Sequence, residues 1–467
     1  MRLIPIYTWN KGFHLLGKST RKLSQQPWFQ GVLLLVCVII AMILANLPAT
    51  GTLYKDFLET TVQAHFCSPD GQIDFLFPRD MTIEKFINDI LMVVFFFAVG
   101  LEIKREIAHG ELSSPKKAML PVIAAFGGVL APALIFALVN HGTAASSGWG
   151  IPTATDIAFA VCILSMLGDK VPVSLKVFLT ALAIADDLIA ILVVALFYGG
   201  SINFGLLAIA LGIIIITLAL RGLGEKRVGI YLFMAFLVWV LFYYSGIHAT
   251  MSGVVMAFLI PAKPRYGRAY FFRKRAMYNA RIDDWEKHPD STSFPSGPQR
   301  HYLRELQKIS NGAMDMSYRV EHFLSPWVNF LILPLFALAN AGVAIADPSY
   351  FNIFKFDPAT GGVGLGIFLG LVLGKPIGIT LASWIAIKLK VGAMPEKATW
   401  KMCFAVACLG GIGFTMSIFV DTLSFSDQPA EVMMHLRDAG KIAVLLGSLC
   451  SGILGSILIN LFHKSSR

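Results

Sequence analysis

The chain has 467 residues, of which 56% are hydrophobic and only 15% are Asp, Glu, Lys or Arg, and its mean hydropathy is +0.67. A soluble domain carries about 25% charged residues, so the composition excludes an ordinary soluble protein and indicates a polytopic helical membrane protein. The net charge of +10 does not indicate nucleic-acid binding, because the basic residues lie in loops between apolar runs and form no basic stripe.

The N-terminal segment, residues 1–29, carries five basic and no acidic residues and resembles the start of a signal peptide. The apolar stretch that follows, 31–47, is longer than the usual hydrophobic region of about 7–15 residues, and no small-residue cleavage site follows it. We therefore predict that it is the first retained membrane span.

Apolar runs predict an all-α fold with twelve transmembrane spans. They lie near 30–48, 86–103, 118–139, 152–167, 174–199, 203–220, 228–245, 247–261, 326–346, 362–387, 400–420 and 440–462. With twelve spans, the loops rich in Lys and Arg, 104–117, 221–227 and 388–401, fall on the same side as both termini. Cytoplasmic loops carry more basic residues, so both termini are predicted to be cytoplasmic.

The predicted organisation has five parts: a cytoplasmic N-terminal segment at 1–29, spans 1–8 at 30–261, a long cytoplasmic insertion loop at 262–325, spans 9–12 at 326–462, and a cytoplasmic tail at 463–467. The insertion is polar, so a partly helical or flexible loop is expected. Its basic cluster, 273–275, is either a solvated part of this loop or a contact for lipid headgroups.

Four charged residues lie inside predicted spans: Asp156, Asp186, Asp187 and Lys375. Each costs about 2.5–3.5 kcal/mol at the centre of a spanning helix. Such a cost is unusual for residues with only a structural role, so these four are the first candidates for function.

Two spans carry signals of an interrupted helix. The short span near 152 begins at Pro152 and contains Thr155 and Asp156, and the span near 400–420 contains the run Gly410-Gly-Ile-Gly413. Interrupted helices in matching positions of two halves are typical of inverted-repeat transporters, where they place helix ends at mid-membrane. Asp156 is then expected to neutralise positive N-terminal helix ends, and Lys375 negative C-terminal ends. The alternative is a glycine-rich packing face.

Asp186 and Asp187 are adjacent, so on a helix their side chains point about 100° apart. One can face an ion while the other faces Lys375 or Asp156; the alternative is a water-exposed pair at a helix end. Pro376, after Lys375, removes a backbone donor and is expected to free carbonyls for the ammonium, unless Lys375 extends to the interface from a helix end.

A carboxylate can hold a small alkali cation or a proton, but not both. Competition at an alternately exposed site therefore predicts exchange of one for the other, with no cofactor and no catalysed reaction. An intramembrane aspartyl protease is a rival interpretation, but it needs a Gly-x-Gly-Asp pattern, and the glycine run here carries no Asp. An ion channel is another, and it would need no proton-competing carboxylate.

A second group of charged residues lies near the predicted cytoplasmic boundary. Its members are Glu102, Lys104, Arg105, Glu106, His109, His248, Glu321 and His322. They are either interfacial charges or a pH-responsive entrance, since histidine titrates near neutral pH.

With these motifs the chain resembles the NhaA family of bacterial sodium/proton antiporters, a family built from inverted repeats. The resemblance runs from about Asn88 to the last span, apart from residues 262–315. It rests on Phe95-Phe-Phe97, Gly100-Leu-Glu-Ile-Lys-Arg-Glu106, Gly150-Ile-Pro-Thr-Ala-Thr-Asp-Ile-Ala-Phe-Ala160, Leu179-Thr-Ala-Leu-Ala-Ile-Ala-Asp-Asp187, Gly246-Ile-His-Ala-Thr250, Pro334-Leu-Phe-Ala-Leu-Ala-Asn-Ala-Gly342, Gly374-Lys-Pro376 and Gly411-Ile-Gly-Phe-Thr-Met-Ser417.

The resemblance implies roles for individual residues. Asp187 and Asp186 would be the Na⁺ ligands, with Asp186 paired to Lys375 when protons are loaded, and Asp156 and Thr155 would lie at crossed extended chains. The residues linked to pH activation in the family match Glu102, Arg105, Glu106, His248, Glu321 and His322. Ser325 differs from the family, in which a histidine is frequent at that position.

The resemblance also implies a physiological role. The protein would export Na⁺, and also Li⁺, in exchange for external protons, with net charge movement, and would serve pH homeostasis. It would lie in a bacterial inner membrane, in contact with lipids, as a homodimer that binds no nucleic acid.

Overall fold

A computed structural model of the chain describes residues 27–62, 66–68, 71–73, 81–199, 202–286, 297–345, 356 and 361–465. Most of the predicted N-terminal segment at 1–29, residues 287–296 of the predicted insertion and the last two residues of the predicted tail lie outside the described residues.

The described chain is almost entirely helical. Its helices, in chain order, are α1 (Pro27–Asn46), α2 (Gly51–Glu59), α3 (Ile83–His109), α4 (Pro115–Val139), α5 (Ile157–Met166), α6 (Val173–Phe197), α7 (Phe204–Gly222), α8 (Val228–Ser245), α9 (Thr250–Leu259), α10 (Arg268–Glu286), α11 (Gly297–Ala313), α12 (Met316–Asn340), α13 (Val363–Lys388), α14 (Trp400–Leu409), α15 (Phe414–Ser424) and α16 (Ala430–Ser465). A 3₁₀ segment, Ala144–Thr153, precedes α5. Two short antiparallel strands, β1 (Phe66–Ser68) and β2 (Gly71–Ile73), form a hairpin between α2 and α3.

Among the described residues, nine helices are long and apolar enough to cross a membrane. Two bent pairs add one span each: the 3₁₀ segment with α5, bent by 41°, and α14 with α15, bent by 53°. The remaining predicted span, near 247–261, corresponds to α9, whose ten residues rise roughly 15 Å. That is about half the hydrocarbon thickness of a bilayer. The predicted all-α fold with about twelve spans and two discontinuous helices is confirmed.

Two helices begin earlier than the apolar runs suggested. α12 begins at Met316 rather than near 326, and α16 at Ala430 rather than near 440. In both cases a polar first part continues the same helix, and hydropathy alone cannot detect it. Within 262–325 the described residues form α10, α11 and the beginning of α12.

The chain divides into two units. The first contains residues 1–88, 111–198 and 329–467, and the second contains 89–110 and 199–328. The boundaries inside α3 and α12 fall at π-helical turns, Ile87–Leu91 and Val328–Ile332.

In the first unit, α4 and α13 are packed backbone to backbone. A Cβ atom at Gly378 would overlap the carbonyl oxygen of Gly127, and one at Gly127 would overlap the carbonyl oxygen of Gly378. Small residues allow this approach, which is common between membrane helices. The contact places α13, and with it Lys375, deep inside the first unit.

In the second unit, α3 packs against α9 in a similar way. A Cβ atom at Gly253 would lie 2.5 Å from the carbonyl oxygen of Val93. The buried ammonium of Lys104, on α3, donates hydrogen bonds to the carbonyl oxygens of Ala257, at 3.3 Å, and Phe258, at 2.8 Å. A cation at these last carbonyls stabilises the C-terminal end of α9.

Candidate ion-binding site

The two interrupted spans meet where their helices break. The chain between the 3₁₀ segment and α5 is extended at Ala154–Asp156, and it lies against the break between α14 and α15. The amide of Asp156 donates to the carbonyl oxygen of Ile412 at 2.7 Å. The hydroxyl of Thr155 donates to the carbonyl oxygen of Gly410 at 2.9 Å. The two breaks are therefore bonded to each other through backbone that has left the helix.

The carboxylate of Asp156 caps the N-terminal ends of two helices. Its Oδ1 accepts from the amide of Phe159, in the first turn of α5, at 3.2 Å. Its Oδ2 accepts from the amide of Thr415, in the first turn of α15, at 3.0 Å, and also from the Thr415 hydroxyl. Each N-terminal helix end carries roughly half a positive charge, so one carboxylate balances both ends, as the sequence suggested for Asp156.

Lys375 is fully buried on α13, directly after the π-helical turn Gly370–Gly374. Its ammonium donates to the hydroxyl of Thr155 at 2.6 Å and forms an ion pair with the carboxylate of Asp186. Extension of this side chain to the interface is thereby excluded.

One detail of the sequence interpretation is wrong. Pro376 was expected to free carbonyls for the ammonium, but the Lys375 hydrogen bonds within the described structure go to two side chains. The π-helical turn absorbs the proline, because Pro376 follows it at the start of a regular helical segment, where a missing N–H leaves no bond broken.

Thr155 joins the lysine to the break in the second span. Its hydroxyl accepts from Lys375 and donates to Gly410, which ends α14. The positive charge of Lys375 is thus connected through one hydroxyl to a negative C-terminal helix end.

Asp186 and Asp187 lie in the middle of α6, with exposed fractions of 0% and 5%. A water-exposed pair at a helix end is therefore excluded. Oδ1 of Asp186 has no hydrogen-bond partner among the described residues. Asp187 is close enough for its charge to act on Lys375. The structure thus brings Asp156, Thr155, Asp186, Asp187 and Lys375 into one buried cluster of the first unit.

The second predicted group lies in the second unit and is only partly assembled. Arg105 forms ion pairs with Glu321, with Glu106 at 3.3 Å and with Glu102 at 3.6 Å. One cation therefore faces three carboxylates. His322 is exposed and stacks on Tyr318, with ring centroids 5.9 Å apart.

The two other histidines of this group lie elsewhere in the second unit. His109 is exposed near the end of α3. His248 is partly buried in the turn before α9, where its carbonyl accepts from the amide of Met251.

Sequence reasoning missed two residues near the crossing. Thr415 bonds to Asp156 twice, although it entered the sequence analysis only as part of a motif. Asp421, on α15, is fully buried, but the predicted span ended one residue before it. The available signal was its spacing of four residues from Ser417, which places both side chains on one helix face.

Comparison with known proteins agrees with this arrangement. Residues 21–459 match the family model described as Na⁺/H⁺ antiporter 1. The antiporter NhaA of Oleidesulfovibrio alaskensis is 40% identical over 434 residues, covering 93% of this chain and 92% of the relative. The antiporter NhaA of Helicobacter pylori is 40% identical over 452 residues, covering 96% of this chain and 97% of the relative.

A solved structure shows the same fold at low sequence identity. The sodium/proton antiporter MjNhaP1 of Methanocaldococcus jannaschii matches with a TM-score of 0.51 and 16% identity, over 97% of this chain and 95% of that one. From the family match and the 40% identical relatives, the chain belongs to the NhaA family of Na⁺/H⁺ antiporters.

Proposed function

We propose that the chain exchanges Na⁺ for H⁺ by competition of the two ions for Asp186 and Asp187, with Lys375 as the charge partner. The observation that carries the proposal is the ion pair of Asp186 with Lys375, both fully buried beside the crossing of two broken helices. The ammonium neutralises Asp186 and the two helix ends balance Asp156, so the cluster is near neutral when Asp187 holds a proton, which suits the proton-loaded state.

Sodium binding requires a change in this charge arrangement. Na⁺ prefers hard oxygen ligands, and the carboxylates of Asp186 and Asp187 supply them only when deprotonated. Because the cluster is buried, uncompensated charge there is costly, and in this proposal the bound ion replaces the positive charge of the ammonium on Asp186. Displacement or deprotonation of Lys375 on one side of the membrane, and its return on the other, would couple the two ions.

Asp156 and Thr155 position the crossing rather than bind the metal ion first. Asp156 already accepts three hydrogen bonds from α5 and α15. A change of charge at Asp186 reaches it through Lys375 and Thr155, which bond in sequence to the break in the second span. This chain of contacts supports a role in alternating access.

The family assignment supports the remaining proposals. We propose that Na⁺ and Li⁺ leave the cell in exchange for external protons, with net charge movement and a role in pH homeostasis. The multi-pass chain would lie in a bacterial inner membrane with both termini cytoplasmic, as a homodimer in contact with lipids. The cluster around Arg105 in the second unit would tune the pH response.

The test is Asp187→Asn in proteoliposomes that contain a pH-sensitive dye. The amide keeps the size of the side chain but cannot alternate between a proton and a cation, so we expect exchange to be lost while the protein stays folded. Asp169→Asn is the matched control, because Asp169 is an exposed carboxylate before α6. Exchange at the normal rate by a folded Asp187→Asn protein would refute the assignment.

A further inference from the structure

A fourth buried aspartate lies on α15, outside the cluster of Asp156, Asp186, Asp187 and Lys375. Asp421 is fully buried, and neither of its oxygens has a hydrogen-bond partner among the residues that the structure describes. A buried charge without a partner is strongly unfavourable, and in a membrane helix such a residue is a functional candidate.

Asp421 belongs to a polar stripe that begins at the crossing. Ser417, Asp421 and Ser424 are spaced by four and three residues, so they share one face of α15, and all three are buried. At one end of this stripe, the hydroxyl of Ser417 donates to the carbonyl oxygen of Ile151 at 2.7 Å. At the other end, Ser424 lies near the hydroxyl of Tyr198.

The position of the carboxylate is fixed by close packing with α16. A Cβ atom at Gly440 would overlap Oδ1 of Asp421, so the carboxylate fills space that a larger residue at 440 would need. The charged groups that face it from α16 are Arg437, Asp438 and Lys441.

None of these cations neutralises Asp421 directly within the described structure. Arg437 donates instead to the carbonyl oxygen of Thr422, and its Nε has no partner in the described part of the chain. The carboxylate thus has cations nearby but no hydrogen bond to any of them.

These surroundings favour a proton over a metal ion. A sodium ion needs a shell of oxygen ligands, whereas no hydrogen-bonding group of the described residues reaches the Asp421 oxygens. The two cations Arg437 and Lys441 also outnumber Asp438 and repel a further cation. A proton needs one carboxylate oxygen, and it removes the buried negative charge by forming a neutral group that packs well.

We propose that Asp421 is a second proton-binding site, which takes up protons from the outer side close to the crossing. This inference rests on the proposed exchange and on the proposed topology, in which α15 ends on the outer side. Asp421 lies six residues beyond Thr415, about 9 Å along the helix axis, with Ser417 between them.

The transfer is a sequence of balanced proton movements. An O–H bond of a hydronium ion breaks on the outer side as one forms on Asp421. That bond breaks in turn as one forms on a water molecule that has access to the binding site, which leaves Asp421 ready for the next proton. No oxidant or other reactant is needed.

The first test is Asp421→Asn in the full chain, reconstituted in proteoliposomes. Proton-driven Na⁺ exchange is measured at several values of outer pH, and Na⁺ binding is measured separately by calorimetry in detergent. We expect exchange to slow by at least about tenfold at high outer pH, where proton entry limits the rate, while Na⁺ affinity stays within about twofold of wild type.

Asp427→Asn is the matched control, because Asp427 is an exposed carboxylate just beyond α15. An unchanged rate and outer-pH profile in Asp421→Asn would overturn the inference, and so would a loss of Na⁺ affinity, which would place Asp421 in the cation site. If the wild type itself fails to exchange Na⁺, the proposed function fails instead.

A second measurement needs no variant. Dicyclohexylcarbodiimide is an apolar reagent that adds to protonated carboxyl groups inside membrane proteins. Peptide mass mapping of the labelled wild-type protein should show a modification at Asp421 that declines as the pH rises. An unmodified Asp421 at every pH would overturn the proposal, including the case in which Asp421→Asn does not fold.

Discussion

Replacement of Lys375 tests the charge balance of the site directly. In Lys375→Met the stem keeps nearly its length and the charge is lost, so the carboxylate of Asp186 is left buried without its partner. Breaking a buried ion pair in this way costs about 3–5 kcal/mol, and the lost bond to Thr155 adds about 0.5–1.5 kcal/mol. Lys375→Ala also removes three buried methylene groups, worth about 0.8 kcal/mol each.

The assay is the free energy of unfolding in detergent, together with exchange in proteoliposomes. We expect both variants to lose exchange and Lys375→Ala to be the less stable of the two. The double variant Lys375→Met with Asp186→Asn should recover most of the lost stability, because the two sites are in contact and their effects are not additive. Lys388→Met, at the exposed end of the same helix, is the control. Wild-type stability of Lys375→Met would show that the ion pair does not hold the site together.

Three further predictions concern the crossing and the competition. Gly411→Ala should destabilise the protein by about 1–3 kcal/mol, because a Cβ atom there would overlap the carbonyl oxygen of Leu371. Gly212→Ala is the control, since a Cβ atom at Gly212 meets open space. Equal melting temperatures of the two variants would contradict this packing. Thr415→Val should cost about 1.5–3 kcal/mol through the lost hydroxyl bond to Asp156, whereas Thr415→Ser should retain most of it in the same denaturation assay. Apparent Na⁺ affinity, measured by calorimetry, should weaken by up to about tenfold per pH unit for each competing proton as the pH falls; binding that is independent of pH would rule out a shared site.

Much of the site could be predicted from the sequence because charges inside apolar runs are conspicuous. Asp186, Asp187 and Lys375 stand alone among hydrophobic neighbours, and Pro152 and the glycines near 411 indicate where helices break. These signals are local, and each has a direct physical cost. The sequence did not show which oxygen each donor reaches, because those contacts join residues more than 180 positions apart, such as Lys375 with Asp186.

The features that were missed share another cause. Hydropathy detects an average over about twenty residues, so it ended the predicted span just before Asp421 and started α12 and α16 about ten residues late. It also cannot register a π-helical turn, such as the one that directly precedes Lys375. Thr415 looked ordinary because a single threonine carries no signal until its partner is known.

The shared carboxylate of Asp156 has a consequence for how the two interrupted spans respond to each other. Since the side chain of Asp156 caps the N-terminal ends of both α5 and α15, any event that withdraws it removes the cap from both helices in one step. Cooperativity between the two halves of the transporter then needs no long path of intervening residues; it is set by one shared hydrogen-bond acceptor. Asparagine is as good an N-cap as aspartate for a single helix, but its amide carries only one acceptor oxygen, so at this position it could cap α5 or α15 and not both.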